Sequence, residues 1–158
     1  MRKKDQPKLW LCLYLPNLAL EVFYPSGPKQ PPNDGLKPIA IIQQQRIEAL
    51  SYHAAATGLR VGTMASHAYA LCENLTCIEK SAAKERRALA QIAQWLYEFT
   101  PNVCPYGDQH LILEVSSSLK LFSGLNHLKY LIEEKTTRLG YTPKLGVSQT
   151  PLAAKISA

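Results

Sequence analysis

The chain has 158 residues, 46% of them hydrophobic and 19% charged, an ordinary soluble composition for one domain or one domain with a small insertion. That excludes an acidic disordered tail, a collagen-like chain and a disulfide-dense miniprotein, and no window approaches the run of about 18 apolar residues that a spanning helix needs. The 18 basic and 12 acidic residues leave a net charge of +6 and a pI near 9.2, which favours polyanionic partners, nucleic acid before membrane.

The opening MRKKDQPKLWLCLYLPNLAL has the outline of a signal peptide. Pro16 and Asn17 cut its apolar run short and no small-residue cleavage site follows, so a mature cytoplasmic protein is expected. Leu9–Leu15 is short, apolar and partly aromatic, the pattern of a buried strand. Pro16 suits a helix start, and residues 17–23 read as a short helix. Residues 25–37 hold four prolines and two glycines and read as a loop joining substructures. Pro38–Ile42 and Arg46–Ser51 are strands turned by Gln43, Gln44 and Gln45. Tyr52–Thr57 is a helical turn capped by Gly58, Thr63–Cys72 a helix with Ala65, Ala68, Tyr69 and Cys72 on one face, and Asn74–Ile78 an extended run.

Ser81–Thr100 is the clearest helix, N-capped by Ser81 and stopped by Pro101, with Leu89, Ile92, Ala93, Leu96 and Phe99 on one stripe. Val103–Tyr106 and His110–Val115 flank Gly107-Asp108-Gln109 as a hairpin. Leu125–Leu139 is a second helix, with Leu128, Leu131, Ile132 and Leu139 inward and Gly140 as cap. Lys144–Val147 is a last strand, and a further helix starts at Pro151. Without residues 25–80 this order gives an α+β fold, an antiparallel sheet with helices on one face in the ferredoxin-like manner, and residues 25–80 form an inserted lobe.

Single residues carry little chemistry alone. Cys72 and Cys77 are spaced C-x4-C while Cys12 and Cys104 stand apart, so reduced, mostly buried thiols and no zinc site are expected. His53, His67 and His110 have no partner at metal spacing, and Ser116, Ser117 and Ser118 lack a paired base. Lys84, Arg86 and Arg87 are DNA-binding candidates; a phosphate-contacting patch and a solvated helix face are both open. Arg2, Lys3, Lys4 and Lys8 make a basic arm, either a contact or a frayed end.

Several stretches taken together resemble the palm and fingers of Y-family translesion DNA polymerases, and in particular the catalytically deficient, ImuB-like branch. They are 9–23 with its Ala19-Leu20-Glu21, 38–80 with its Gly58-Leu59-Arg60-x-Gly62-x-Met64, the helix ending 95–103, 110–125 with its Leu113-Glu114-Val115, and 144–158. The resemblance implies a ferredoxin-like palm from residues 1–24 and 81–158 and a fingers-like insertion from 25–80. The thumb and little-finger regions would be absent, as in a fragment.

It also implies where catalytic groups would sit. An active member holds two Mg²⁺ with two aspartates from the first strand and an Asp-Glu pair from the hairpin. Anchored on Glu21 and on Leu113-Glu114-Val115, these positions carry Cys12, Tyr14, Gln109 and His110. A one-residue slip gives Leu13 and Leu15, or brings in Asp108. Tyr52 matches the nucleotide-gripping tyrosine, a vestigial contact or simple packing, but Ala55 stands where the arginine would be, and Pro16-Asn17 replaces the sugar-screening aromatic pair.

The expectation is therefore a non-catalytic adaptor in DNA damage tolerance, translesion synthesis and induced (SOS) mutagenesis, with no cofactor. Its implied partners are DNA (held weakly by this portion), an ImuA-type RecA-like protein, an error-prone replicative-type polymerase and the sliding clamp, with no membrane. Two other readings stay open: a divergent active polymerase, which would need Mg²⁺, and a ferredoxin-like nucleic-acid-binding module unrelated to polymerases, with Trp10 and Tyr14 as stacking residues on one strand face.

Overall fold

The computed structural model describes residues 7–25 and 37–158. The basic arm at Arg2, Lys3 and Lys4 and nearly all of the proline-rich loop lie outside the described residues. The strands β1 (Trp10–Tyr14), β5 (Val103–Pro105), β6 (His110–Glu114) and β7 (Lys144–Ser148) form one antiparallel sheet in the order β5-β6-β1-β7. With α4 (Ala82–Leu96) preceding β5 and α5 (Leu125–Arg138) preceding β7, this is the ferredoxin-like order that the element pattern implies.

Strand alternation explains the placement of the core. Leu11 and Leu13 of β1 and Leu111 and Leu113 of β6 point to one side, where Leu89, Ile92 and Leu96 of α4 and Leu128 and Ile132 of α5 pack on them. Ser81 caps α4, its hydroxyl accepting from the Lys84 N–H at 3.3 Å. The opposite face of the sheet, where Cys12 and Ile112 lie, is covered by Ala154 of α6 (Pro151–Ile156). The strand–helix approach is so close that a Cβ on Gly146 of β7 would meet the Ala154 carbonyl at 2.2 Å and the Ala158 nitrogen at 2.4 Å.

A second, three-stranded sheet has the order β3-β2-β4, built from β2 (Ile39–Gln43), β3 (Arg46–Leu50) and β4 (Thr76–Glu79), with β2 and β4 parallel. Gln44 and Gln45 take positive φ values of 49° and 62°, closing the β2–β3 hairpin with the left-handed pair its twist favours. Ser51 caps α2 (Tyr52–Ala56) by accepting from the Ala54 N–H at 3.3 Å, and the same hydroxyl accepts from the Ile39 N–H at 3.0 Å. The helix α3 (Ala65–Leu71) buries Ala68.

Helix α1 (Leu18–Glu21) joins the two sheets because its side chains divide between two cores: Leu18 packs with the first sheet, Ala19 and Leu20 with Ile39 and Ile41 of the second. Its last residue, Glu21, is buried. The carboxylate accepts from the Thr142 N–H at 3.0 Å and the Thr142 hydroxyl at 2.5 Å, tying α1 to the segment entering β7.

Three expected placements differ. Leu139, expected inward, is 45% exposed. It is the C-cap of α5, where the chain turns through Gly140 (φ +91°), and the buried place one turn earlier goes to Thr136, whose hydroxyl donates to the Ile132 carbonyl at 2.7 Å. Tyr69 sits on the α3 face containing Ala68, yet its ring is exposed because α3 is short and buries only small side chains. The helix α4 ends at Leu96, before Pro101.

Gly146→Val puts branched carbon where the α6 backbone lies. It should destabilise the fold by about 1–3 kcal/mol and raise amide hydrogen exchange throughout α6 more than in α4, readable by mass spectrometry. Glu21→Ala removes a buried acceptor facing Thr142 and should cost about 1–3 kcal/mol in chemical denaturation.

Candidate functional site

The face of the first sheet opposite its core carries Trp10, Cys12 and Tyr14 from β1 and His110, Ile112 and Glu114 from β6, through the pairs Trp10↔Glu114, Cys12↔Ile112 and Tyr14↔His110. The Leu15 N–H donates to the Gln109 carbonyl at 2.9 Å. The strand pairing thus sets Tyr14 opposite His110 at one end of the β1–β6 ladder, with Gln109 just before it, and leaves Cys12 opposite Ile112 at the middle of the strand. The alternative register has no support in the geometry, since Leu13 and Leu15 are fully buried in the core on the other side. Asp108 is exposed in the hairpin turn, and its charge bears on Glu85 of α4.

The chemistry of this face is that of a thiol, two rings and an ammonium. The Tyr14 and His110 rings stack with centroids 4.6 Å apart and 10° between planes. Burial pushes the Cys12 thiol up to about 11, with Lys155 pulling against it. Burial also lowers His110, and the Lys155 ammonium adds to that effect. Lys155, on α6, lies 4.8 Å from the centroid of the Tyr106 ring. It was passed over in the sequence because α6 read only as a truncated helix, although a cation directly behind the last strand was visible there.

Two divalent cations do not fit these groups. Hard cations take carboxylate and carbonyl oxygens, whereas the side chains at the four positions are a thiol, a phenol, an amide and an imidazole. Among the described residues no three or more His, Cys, Asp or Glu side chains are grouped to hold a metal. The other carboxylates near the sheet are engaged. Glu21 holds Thr142, and Glu114 sits at the far end of β6. The Ser116 hydroxyl, the Ser116 N–H at 3.0 Å and the Asn102 amide at 3.3 Å keep the Glu114 carboxyl below the usual range.

Tyr52 opens α2 and is 70% exposed, its ring edge-on to His53 with centroids 5.8 Å apart. It is not a core packing residue. Ala55, three positions on along the same helix face, is exposed as well.

The three cations of α4 do not form one patch. Lys84 and Arg87 line a groove of about 150 Å³ with Val22, Gln91 and Tyr141, and the Lys84 ammonium stands 4.3 Å over the Phe23 ring. Arg86 turns to the other side, where Gln43, Lys80, Ala82, Glu85 and Asp108 complete a cleft of about 190 Å³. Glu85 was missed, although it falls on the same stripe as Ala88, Leu89, Ile92 and Leu96 and is buried with them. Burial raises its carboxyl, opposed by Lys80, while Asp108 and Glu48 push it further up. Trp95 packs against the core, Tyr97 is exposed, and Cys104, expected among mostly buried thiols, is exposed on the edge strand β5.

This architecture, a ferredoxin-like sheet joined by a short helix to a small mixed lobe, is that of the Y-family DNA polymerases. It matches a post-insertion binary complex of Dbh DNA polymerase with a TM-score of 0.72 at 15% identity, over 94% of this chain and 44% of that one. It matches DinB from Sulfolobus solfataricus with a TM-score of 0.66 at 15% identity, over the same shares. Residues 34–158 match the model of the impB/mucB/samB family, and the chain belongs to that family. It is 28% identical over 113 residues to DNA polymerase IV of Exiguobacterium sibiricum, covering 71% of this chain and 31% of that protein. It is also 28% identical over 97 residues to protein ImuB of Caulobacter vibrioides, covering 61% of this chain and 21% of that protein. The chain therefore spans a third or less of these curated relatives. Membership sets aside the unrelated binding module. Trp10 is packed beside Ala154, and Tyr14 is stacked on His110.

Two outcomes test the face. In the native protein Cys104 should be alkylated by iodoacetamide at pH 8 while Cys12 stays unmodified until denaturant is added, as peptide mapping would show. Because His110 is lowered in the fold, the unfolded chain binds its proton first, so its contribution to stability falls as pH drops through the unfolded value near ~6.5. The denaturation midpoint of His110→Gln should accordingly fall less between pH 7 and pH 5 than that of the unaltered protein.

Proposed function

We propose that this chain is the palm-and-fingers part of a non-catalytic, ImuB-type adaptor in translesion synthesis and induced mutagenesis. Residues 1–24 and 81–158 serve as palm and 25–80 as fingers, and the whole protein brings an error-prone replicative-type polymerase to damaged DNA. The observation that carries this reading is that none of Cys12, Tyr14, Gln109 and His110 offers a carboxylate: Tyr14 and His110 stack on each other at the end of the β1–β6 ladder, and Cys12 is packed under Ala154 at its middle. In-line phosphoryl transfer by two metals needs a clamp of acidic oxygens at that place, and a thiol, a phenol, an amide and an imidazole do not supply one. Ala55 beside Tyr52 agrees, since it cannot offer a bidentate fork to phosphate. The similarity to an ImuB protein supports the adaptor branch.

The partners follow from this reading: DNA, an ImuA-type RecA-like protein, the recruited polymerase and the sliding clamp, in the cytoplasm and without a bound metal. DNA affinity of this portion would rest on backbone phosphates, and Lys84 and Arg87, which line one groove, are the candidates for one such contact. Cys12, Tyr14, Gln109 and His110 are then degenerate positions and Tyr52 a vestigial nucleotide contact. The competing reading, a divergent active polymerase, draws on the similarity to DNA polymerase IV.

Primer extension on a gapped template with Mg²⁺ or Mn²⁺ separates the two. The full-length protein should add no nucleotide above a blank, and calorimetric titration with Mg²⁺ and a deoxynucleoside triphosphate should show no two-metal uptake. Template-directed incorporation that disappears in Asp108→Ala would overturn the adaptor reading.

A further inference from the structure

The two borders of the smaller sheet differ. On the β3 side, Met64 bridges to Arg46, and the Ile47 N–H and C=O are taken by the Thr63 carbonyl and the Gly62 N–H. On the other side, β4 pairs with β2 alone, in parallel register. The Thr76 N–H donates to the Pro38 carbonyl and the Lys80 N–H to the Ile42 carbonyl, both at 2.8 Å. Peptide groups turn to the same side at every second position of a strand, so Ile78 also faces β2. The N–H and C=O of Cys77 and Glu79 therefore point outward, and no backbone bond among the described residues reaches them. The inner strand β2 buries Ile39, Ala40 and Ile41, whereas no residue of β4 is buried.

The side chains beside this border differ by face. On the α1 face, Ile78 and Phe23 pack on the cluster of Ala19, Leu20, Ile39 and Ile41. The Lys84 ammonium stands 4.3 Å over the Phe23 ring, and Lys84 and Arg87 line the groove of about 150 Å³ with no carboxylate among its described lining. Glu21 bears on Tyr141 at that groove, but it is buried and its oxygens are held by Thr142. On the other face, Cys77 packs with Ala68 and Cys72, the Tyr69 hydroxyl lies beside it, and Glu79 is exposed.

The backbone decides first what fits such a border. A nucleic acid would use Lys84 and Arg87 but has no row of amides to meet Cys77 and Glu79. A second copy of this chain would bring a net charge of +6 against the same charge. An extended polypeptide supplies matching donors and acceptors at the strand repeat, and carboxylates at its alternate positions face the two cations. We propose that the outer edge of β4 captures an extended acidic segment of a partner protein as an added strand, its backbone on Cys77 and Glu79 and its carboxylates toward Lys84 and Arg87. The inference goes beyond the adaptor reading and does not depend on whether the protein adds nucleotides.

The test is fluorescence anisotropy of a labelled peptide of four Asp-Val repeats with the full-length protein, beside amide exchange resolved at single residues. The peptide should bind about tenfold tighter than its Lys-Val counterpart. At saturation the Cys77 and Glu79 amides should exchange about tenfold more slowly, with Ile78 unchanged. Glu79→Pro removes an outward N–H that the fold leaves unused; it should abolish binding without moving the thermal transition. The exposed double change Lys84→Ala, Arg87→Ala should erase the preference over the Lys-Val peptide. Binding without slowed exchange at Cys77 and Glu79 would overturn the proposal as a contact of charge alone. So would slowing of these amides with protein concentration in the absence of peptide, which would mark a second copy. Displacement of the peptide by oligothymidylate, with the β4 amides free throughout, would overturn it in favour of nucleic acid. Nucleotide addition in primer extension would overturn the adaptor reading and leave the strand capture standing.

Discussion

The arrangement turns on β1 being the inner strand of a sheet covered on both sides. It lies between β6 and β7, with α4 and α5 below and α6 above. A strand in that setting cannot hold an uncompensated charge, because burying an isolated carboxylate costs far more than any packing gain at the same place. In this chain the side that could have been polar is filled with a thiol, an aliphatic side chain and a stacked ring pair. Cys12 and Ile112 pack with Ala154 as a small core of their own. The closeness of α6 depends on Gly146, where no side chain can fit. The neutral side chains of Cys12 and Ile112 and the closeness of α6 go together: with no charge to hydrate at the middle of this face, helix and sheet can meet.

The carboxylates that persist show where negative charge is tolerated. Glu21 is buried yet supplied with two donors by Thr142. Glu114 is fixed by Ser116 and Asn102. Both fix neighbouring loops by hydrogen bonds. Glu85 differs, being the one buried side-chain oxygen without a donor among the described residues, and it lies where the two sheets approach each other rather than on the expected face.

Much of the scaffold was legible in the sequence because its signals are local. The apolar run at Leu9–Leu15, the stripe from Leu89 to Leu96 and the hairpin about Gly107 each follow from a period or a turn residue, and the sheet order followed from their sequence. The candidate face was legible by alignment on Glu21 and Glu114. What decides its register is long-range, the pairing of Tyr14 with His110 and the burial of Leu13 and Leu15. Leu139 was misplaced because a periodic pattern does not reveal the residue at which a helix ends. The separation of Lys84 and Arg87 from Arg86 depends on what flanks each side of α4, which no spacing rule supplies. Lys155 and Glu85 went unnoticed for the same reason: their neighbours come from distant parts of the chain.

The edge strands carry a further implication for assembly. At one border of the larger sheet, β5 has three residues and ends in Pro105, which lacks an amide hydrogen. The opposite border, β7, begins at Lys144, a charge that discourages another chain from zipping alongside. In the smaller sheet, β3 has its outer side partly taken by the segment about Met64. Continuation of either sheet into a neighbouring molecule is disfavoured at these three borders, which leaves the β4 edge of the smaller sheet, together with helices and loops, as the surfaces by which this fold would join a larger complex.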